Sequence, residues 1–197
     1  MIELGKLEYY LLAINAIGVL VYLINMLLYK HTENGQIDVV LMIVSLLGGS
    51  AGMLLMILLF DRKAVKENMM SRVFIICIFI IQIIIFLIYN GHHAEHVTFA
   101  FWKFFAEHQI LLIYLGIMNL VTFIIFAIDK ANARAHRSRI RIVTLSGLSF
   151  TVGSVGGLIA MYLLHHKTQK DYFTVGMPLI IIMQVIVLFY VMNIGWY

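Results

Sequence analysis

Six long apolar runs, separated by short charged clusters, constrain this chain more than any other feature of its sequence. About 20 consecutive apolar residues are enough for an α-helix to cross the hydrocarbon core of a bilayer. The runs are continuous and lack the two-residue alternation that a polar barrel lumen would impose. They predict helices at Glu8 to Tyr29, Ile37 to Phe60, Val73 to Tyr89, Gln109 to Ile128, Ile142 to Leu164 and Val175 to Gly195. With 62% hydrophobic residues, 12% charged residues and one proline, the chain has too little polar surface to coat a soluble globule. The expected fold class is an all-α membrane protein with six transmembrane helices.

Lys and Arg concentrate in cytoplasmic loops, so their distribution predicts orientation. With the amino terminus inside, Lys6, Arg62, Lys63, Lys66, Arg72, Lys130, Arg134, Arg137, Arg139 and Arg141 are cytoplasmic, ten of the fourteen. Lys30, Lys103, Lys167 and Lys170 are then external, and both termini are cytoplasmic. The formal charge of +4 is thereby a topology signal, and nucleic acid is not an expected partner. Glu3 and Glu8 flank Lys6 where a signal peptide would be basic, so the first helix is expected to remain. The single cysteine, Cys77, lies inside the third run as a small packed side chain, and no intramolecular disulfide is possible.

The chain also repeats itself. Shifted by 153 − 49 = 104 positions, Val39, Leu41, Ser45, Gly49, Ser50, Gly52, Leu54, Leu59, Lys63 and Lys66 fall on identical residues from Val143 to Lys170. Asn15 falls on Asn119, and shared hydrophobicity alone would not align so many glycine and polar positions. The expected organisation is a first three-helix repeat at 1–90, an external His/aromatic connection at 91–108 and a second repeat at 109–197. Three spans per copy would make the repeat inverted, an arrangement common in transporters.

The second copy resembles the small bacterial membrane-protein family called domain of unknown function 1294. The resemblance rests on Asn119, Asp129-Lys130 with Ala133, the Arg139 to Ile142 region, Gly153 with Gly156, and His166-Lys167-Thr168 with Lys170 and Phe173. It covers about residues 113–190. The first copy matches only through Asn15, Gly48-Gly49, Gly52, Lys63 and Lys66, and so reads as degenerate. Val152 stands where the family pattern has a first glycine. The resemblance implies the bacterial cytoplasmic membrane and marks candidate residues, without implying a chemistry.

Gly48, Gly49, Gly52, Gly153 and Gly156 sit mid-helix, where small side chains allow close helix packing. The sharper alternative is that they break their helices and expose backbone groups to a substrate. Asn15, Asn119, Gln82 and Gln184 lie in apolar runs and require hydrogen-bonding partners, either between helices or along a polar pathway. Asp129 and Lys130 end the fourth run within a basic cluster that suits ion pairing or an anionic lipid headgroup. His166, Lys167 and Thr168 are further binding candidates, with His166 as a possible acid or base. His92, His93 and His96, with Glu95, have a spacing suited to a divalent metal if His165 and His166 converge on them. Otherwise no cofactor is expected, and the aromatic residues after His96 read as an interfacial helix. Three functional classes follow: a small transporter or channel, a lipid-binding or assembly protein, and a membrane enzyme using external His, Lys and Thr.

Overall fold

The structure, a computed structural model, describes residues 5–32, 37–94 and 96–194. Glu3, Glu95 and Gly195 lie outside the described residues. The described residues form helices and no strands. Six helical segments have the length and hydropathy to cross a membrane: Lys6–His31, Asp38–Phe60, Lys66–Tyr89, Gln109–Arg134, Ile142–Leu163 and Asp171–Ile194. The chain divides into two compact units, Met1–Ile83 and Ile84–Tyr197. That division falls inside the third segment. The 91–108 connection packs within the second unit, where the Thr98 amide donates to Asn193 Oδ1 at 2.6 Å and Tyr190 donates to the His92 carbonyl at 3.1 Å.

The first unit contains α1 (Lys6–His31), α2 (Asp38–Val44), α3 (Ser50–Phe60) and most of α4 (Lys66–Tyr89). Glu8 reaches back to the Gly5 amide at 2.7 Å and closes the start of α1. A π-turn, Ser45–Gly49, joins α2 to α3, and Gly48 at φ +113° takes a conformation that side chains resist. Its effect on the path can be read from α1. Asn25 Oδ1 accepts from the Ile37 amide at 2.9 Å, where α2 begins, and Tyr22 donates to Asp61 at 2.8 Å, where α3 ends. Tyr22 and Asn25 are one helical turn apart. A straight helix through the 23 residues Asp38–Phe60 would hold its ends about 34 Å apart. The segment therefore folds back on itself. Its bend meets α1 nearer the amino terminus, where Tyr10 donates to the Leu47 carbonyl at 2.6 Å and Gly52 donates to Asn15 Oδ1 at 2.7 Å.

The second unit contains α5 (Phe101–Glu107), α6 (Gln109–Arg134), α7 (Ile142–Leu148), α8 (Ser154–Leu163), α9 (Asp171–Thr174) and α10 (Gly176–Ile194). Here the folding back is still more direct, because one carboxylate holds both ends. Asp129 Oδ1 accepts from the Ile140 amide at 2.8 Å, and its Oδ2 accepts from His166 at 2.8 Å and Lys167 at 2.7 Å. A straight Ile142–Leu163 helix of 22 residues would separate those groups by about 33 Å. The turn is the π-segment Ser149–Gly153, with Val152 at φ +75°. Tyr114 donates to the Thr151 carbonyl at 3.4 Å and Gly156 donates to Asn119 Oδ1 at 2.7 Å, the same bonds as in the first unit 104 positions earlier.

Each unit is thus built from two long helices embracing a re-entrant helical hairpin whose two ends open on one side, here called the mouth. This corrects the expectation of six transmembrane helices. All six segments are long and apolar enough, but Asp38–Phe60 and Ile142–Leu163 double back and do not cross. Three passes per copy, from which an inverted repeat was expected, are not what either unit taken by itself contains.

Glycine lets each hairpin lie against its first long helix. A Cβ on Gly18 would stand 2.6 Å from the Gly49 carbonyl oxygen, one on Gly52 would overlap the Asn15 carbonyl, and one on Gly156 would overlap that of Asn119. A Cβ on Gly153 would collide with Thr122. The cores follow from this contact. In the first unit Ile14, Tyr22, Met26, Leu41, Met53 and Ile75 cluster, and in the second Phe126, Leu145, Ala160, Met161, Phe173 and Met177 do.

Candidate functional site

A break in a helix at membrane depth frees backbone donors and acceptors that water cannot reach. Four half-buried amides of the apolar runs, Asn15, Gln82, Asn119 and Gln184, serve that need. Gln82 donates to the Ser45 carbonyl at 2.7 Å and accepts from Ser50, while Gln184 donates to Ser149 at 2.8 Å and accepts from Ser154 at 2.5 Å. Asn15 and Asn119 each accept a freed amide from the returning helix and donate to a carbonyl one turn back, at 2.8 Å in both. The glycine segments do break their helices, as the sharper sequence reading has it, yet the freed groups bond to the protein's own side chains.

The polar residues left over meet at the mouths. In the second unit Asp129 is fully buried, a costly state for a carboxylate unless donors surround it. Three do, and two come from consecutive residues. His165 at φ 47° and Lys167 at φ 64° are left-handed, a conformation that costs a non-glycine residue about 1–2 kcal/mol. These twists let His166 and Lys167 reach the same oxygen. Burial pushes the Lys167 ammonium below the ordinary lysine pKa; its contact with Asp129 acts the other way, and the nearby Arg139 charge adds to the lowering. The Lys167 ammonium also lies 5.1 Å over the Phe173 ring, which stacks edge-on against Phe126 at 5.4 Å. Lys130 donates to the Leu164 carbonyl and satisfies an orphan acceptor at the end of α8. The Thr168 carbonyl accepts from the Thr174 hydroxyl at 3.2 Å, which shapes the loop.

The first mouth uses the same parts differently. Asp61 accepts from Tyr22, from Asn68 at 3.0 Å and from Arg72 at 3.2 Å. Arg72 also donates to the Asp61 and Lys63 carbonyls, and Ser71 donates to Asp38 at 2.6 Å. Sequence reasoning missed this cluster. Its one available signal was Asp61-Arg62-Lys63 standing 104 positions before His165-His166-Lys167.

Of the sequence candidates, Asp129, His166 and Lys167 are joined directly, and Lys130 and Thr168 brace the same loop. The proposed histidine metal site is not assembled. His92 lies against the carboxyl-terminal end of α10 through Tyr190, whereas His166 lies at the opposite, mouth end with Asp129. From Gly176 to Tyr190, α10 rises about 21 Å between them. Among the described residues no group of three or more His, Cys, Asp or Glu side chains is placed to hold a metal. The same separation corrects the placing of His165 and His166 on one face with His92, His93 and His96. Trp102 on α5 is 91% exposed, as an interfacial anchor would be.

Chemically, the second mouth offers an imidazole oriented by a carboxylate, with a single ammonium beside it. Within the described residues the His166 ring bonds only to Asp129, through Nε2.

Fold and site together define a class, namely an all-helical, multi-pass membrane protein with broken helical segments. Its second unit carries the family's signature: the model described as "Protein of unknown function (DUF1294)" matches residues 119–173, from the amide that receives the returning helix to the phenylalanine under Lys167. The "Uncharacterized protein YsdA" of Bacillus subtilis (strain 168) is 32% identical over 80 residues, which are 41% of this chain and 90% of that relative. The chain belongs to the DUF1294 family. No solved structure matches it.

Proposed function

We propose that the chain is a duplicated membrane module acting as a small transporter or channel, with the re-entrant hairpins as its gating elements. Duplication is supported by the hydrogen bonds repeated 104 positions apart, and by the size of YsdA, about 80/0.90 ≈ 89 residues, which is near that of one unit, 83 or 114 residues, and less than half of this chain. Orientation follows from each unit taken by itself. The first mouth holds Lys30, Arg62, Lys63, Lys66 and Arg72, with Lys6 at the far end; the second holds Lys130, Arg134, Arg137, Arg139, Arg141, Lys167 and Lys170, with Lys103 at the far end. Twelve of the fourteen Lys and Arg then lie at the mouths, which makes the mouths cytoplasmic. The amino-terminal end of α1 and the carboxyl-terminal end of α10 are then external, the reverse of the orientation expected from six passes.

One observation carries the transport reading: both ends of an apolar, membrane-length segment are held by the single buried carboxylate of Asp129. Broken, re-entrant helices are tolerated in bilayers where they pack inside protein or line a pathway, and transporters use them at their binding sites. Release of Asp129 would free both legs of the hairpin. The purified protein in liposomes should pass at least one of rubidium, chloride or urea faster than protein-free vesicles, and Asp129→Asn should change that rate. Flux equal to protein-free vesicles for both proteins and all three probes would reject transport. It would leave the second reading, a lipid-binding or assembly protein, which is favoured by the internal bonding of Asn15, Gln82, Asn119 and Gln184.

A further inference from the structure

The two mouths differ in the kind of cation they expose. In the first, the buried cation Arg72 is paired with Asp61, and the exposed cations Lys30, Arg62, Lys63 and Lys66 include one arginine, which donates to the Leu58 carbonyl at 3.1 Å. The second has a rim of arginines. Arg134 ends α6, Arg137 and Arg139 lie in the following loop, Arg141 precedes α7 and Lys170 precedes α9. All five are exposed, and among the described residues none has an ion-pair partner. Asp129 cannot offset them, because its oxygens are buried and committed to Ile140, His166 and Lys167. Asp171 is the remaining carboxylate of this mouth.

From this rim and the surface beneath it, we infer that the second mouth binds the phosphate headgroup of an anionic phospholipid. Below the arginines the surface turns apolar at once. Ile124, Ile128 and Val143 are 45%, 43% and 50% exposed on the adjoining turns of α6 and α7. A ligand that fits both surfaces carries a phosphate at one end and hydrocarbon at the other. Guanidinium forks match phosphate oxygens with two parallel hydrogen bonds, a geometry that an ammonium cannot reproduce. Arg139 and Lys167 also stand close enough for their charges to oppose each other, and an anion at the rim relieves that opposition. The inference does not depend on transport, since a lipid can be held by a protein that moves nothing.

Membrane topology also places cations at this level, so the test must keep charge while changing geometry. The full-length protein in detergent would be followed by native mass spectrometry and thermal unfolding with added dioleoyl phosphatidylglycerol, dioleoyl phosphatidylcholine or inorganic phosphate. The wild type should retain phosphatidylglycerol at least tenfold over phosphatidylcholine, gain thermal stability from it, and release it in high salt. The R134K/R137K/R139K/R141K variant keeps every charge and should lose most of that preference, and the corresponding four Arg→Gln changes should abolish it. If the glutamine variant does not fold, the lysine variant and the salt release decide the matter. Equal retention of the two lipids, or undiminished preference in the lysine variant, overturns the inference. So does stabilisation by inorganic phosphate alone, which would mark a site for free anions.

Discussion

The two hairpin mouths perform one structural task with their charges exchanged. In the first unit the carboxylate, Asp61, sits where the hairpin leaves, and its cation, Arg72, is on the next long helix. In the second the carboxylate, Asp129, sits on the preceding long helix, and its partners His166 and the cation Lys167 are on the hairpin exit. Position 25 and its counterpart at 129 show what the fold itself requires. Asn25 and Asp129 each accept the backbone amide at the hairpin's start, at 2.9 Å and 2.8 Å. The site needs an acceptor there, and the charge on Asp129 is an addition made by the second unit. In the first unit Tyr22, Asn68 and Arg72 surround the carboxylate, and in either unit loss of the carboxylate leaves a largely buried cation, Arg72 or Lys167, without a counterion.

The strongest way to break this comparison is to remove the carboxylate. Asp129→Ala should destabilise the protein by about 3–5 kcal/mol, the usual cost of stranding one member of a buried ion pair. Asp129→Asn keeps an acceptor for the Ile140 amide and should cost less, as thermal unfolding in detergent would show. Equal losses would mean that only the charge of position 129 matters, and an unchanged stability in Asp129→Asn would mean that it serves only as an acceptor, as position 25 does. Next in size is Gly153→Leu, which drives a side chain into Thr122 and should cost about 1–3 kcal/mol or more through overpacking. An unchanged melting temperature would place Gly153 toward lipid. The smallest effect separates the two bends. Val152 holds φ +75° where the first unit, 104 positions earlier, has Gly48 at φ +113°, so Val152→Gly should relieve about 1 kcal/mol of backbone strain, less whatever the valine side chain contributes by packing. A fall in stability on unfolding would show that valine packing outweighs that strain.

Much of the helical content was legible because hydropathy reports length well. Gln109 was the expected start of the fourth segment, and its helix begins there, yet it continues past Ile128 to Arg134 because the charged turn can leave the hydrocarbon while staying helical. Val73 was likewise placed seven residues inside a helix that begins at Lys66. Hydropathy cannot report direction, and a run of 22 or 23 apolar residues has the same mean whether straight or folded. Gly48-Gly49 offered a hint in the first copy, but Val152 disguised the bend in the second, since a β-branched residue rarely adopts positive φ. That single ambiguity carried the other errors. With the fifth segment drawn straight, His166 and Lys167 fell on the face opposite Asp129 and beside His92, so the buried cluster was hidden and a metal site was suggested instead. The need of Asn15, Asn119, Gln82 and Gln184 for partners was legible from burial cost alone, but the partners, backbone groups freed by the bends, were not.

The central claim is that Ile142–Leu163 returns to the side it came from, and the two loops flanking it test this directly. Ser138 and Gln169 are both exposed in those loops. Single cysteines at each, in a Cys77→Ser background, can be treated with a membrane-impermeant maleimide in spheroplasts and in inside-out vesicles. The re-entrant fold predicts that both positions react from the same side, the cytoplasmic one. Labelling of Ser138→Cys from one side and Gln169→Cys from the other would restore a crossing helix and contradict the account.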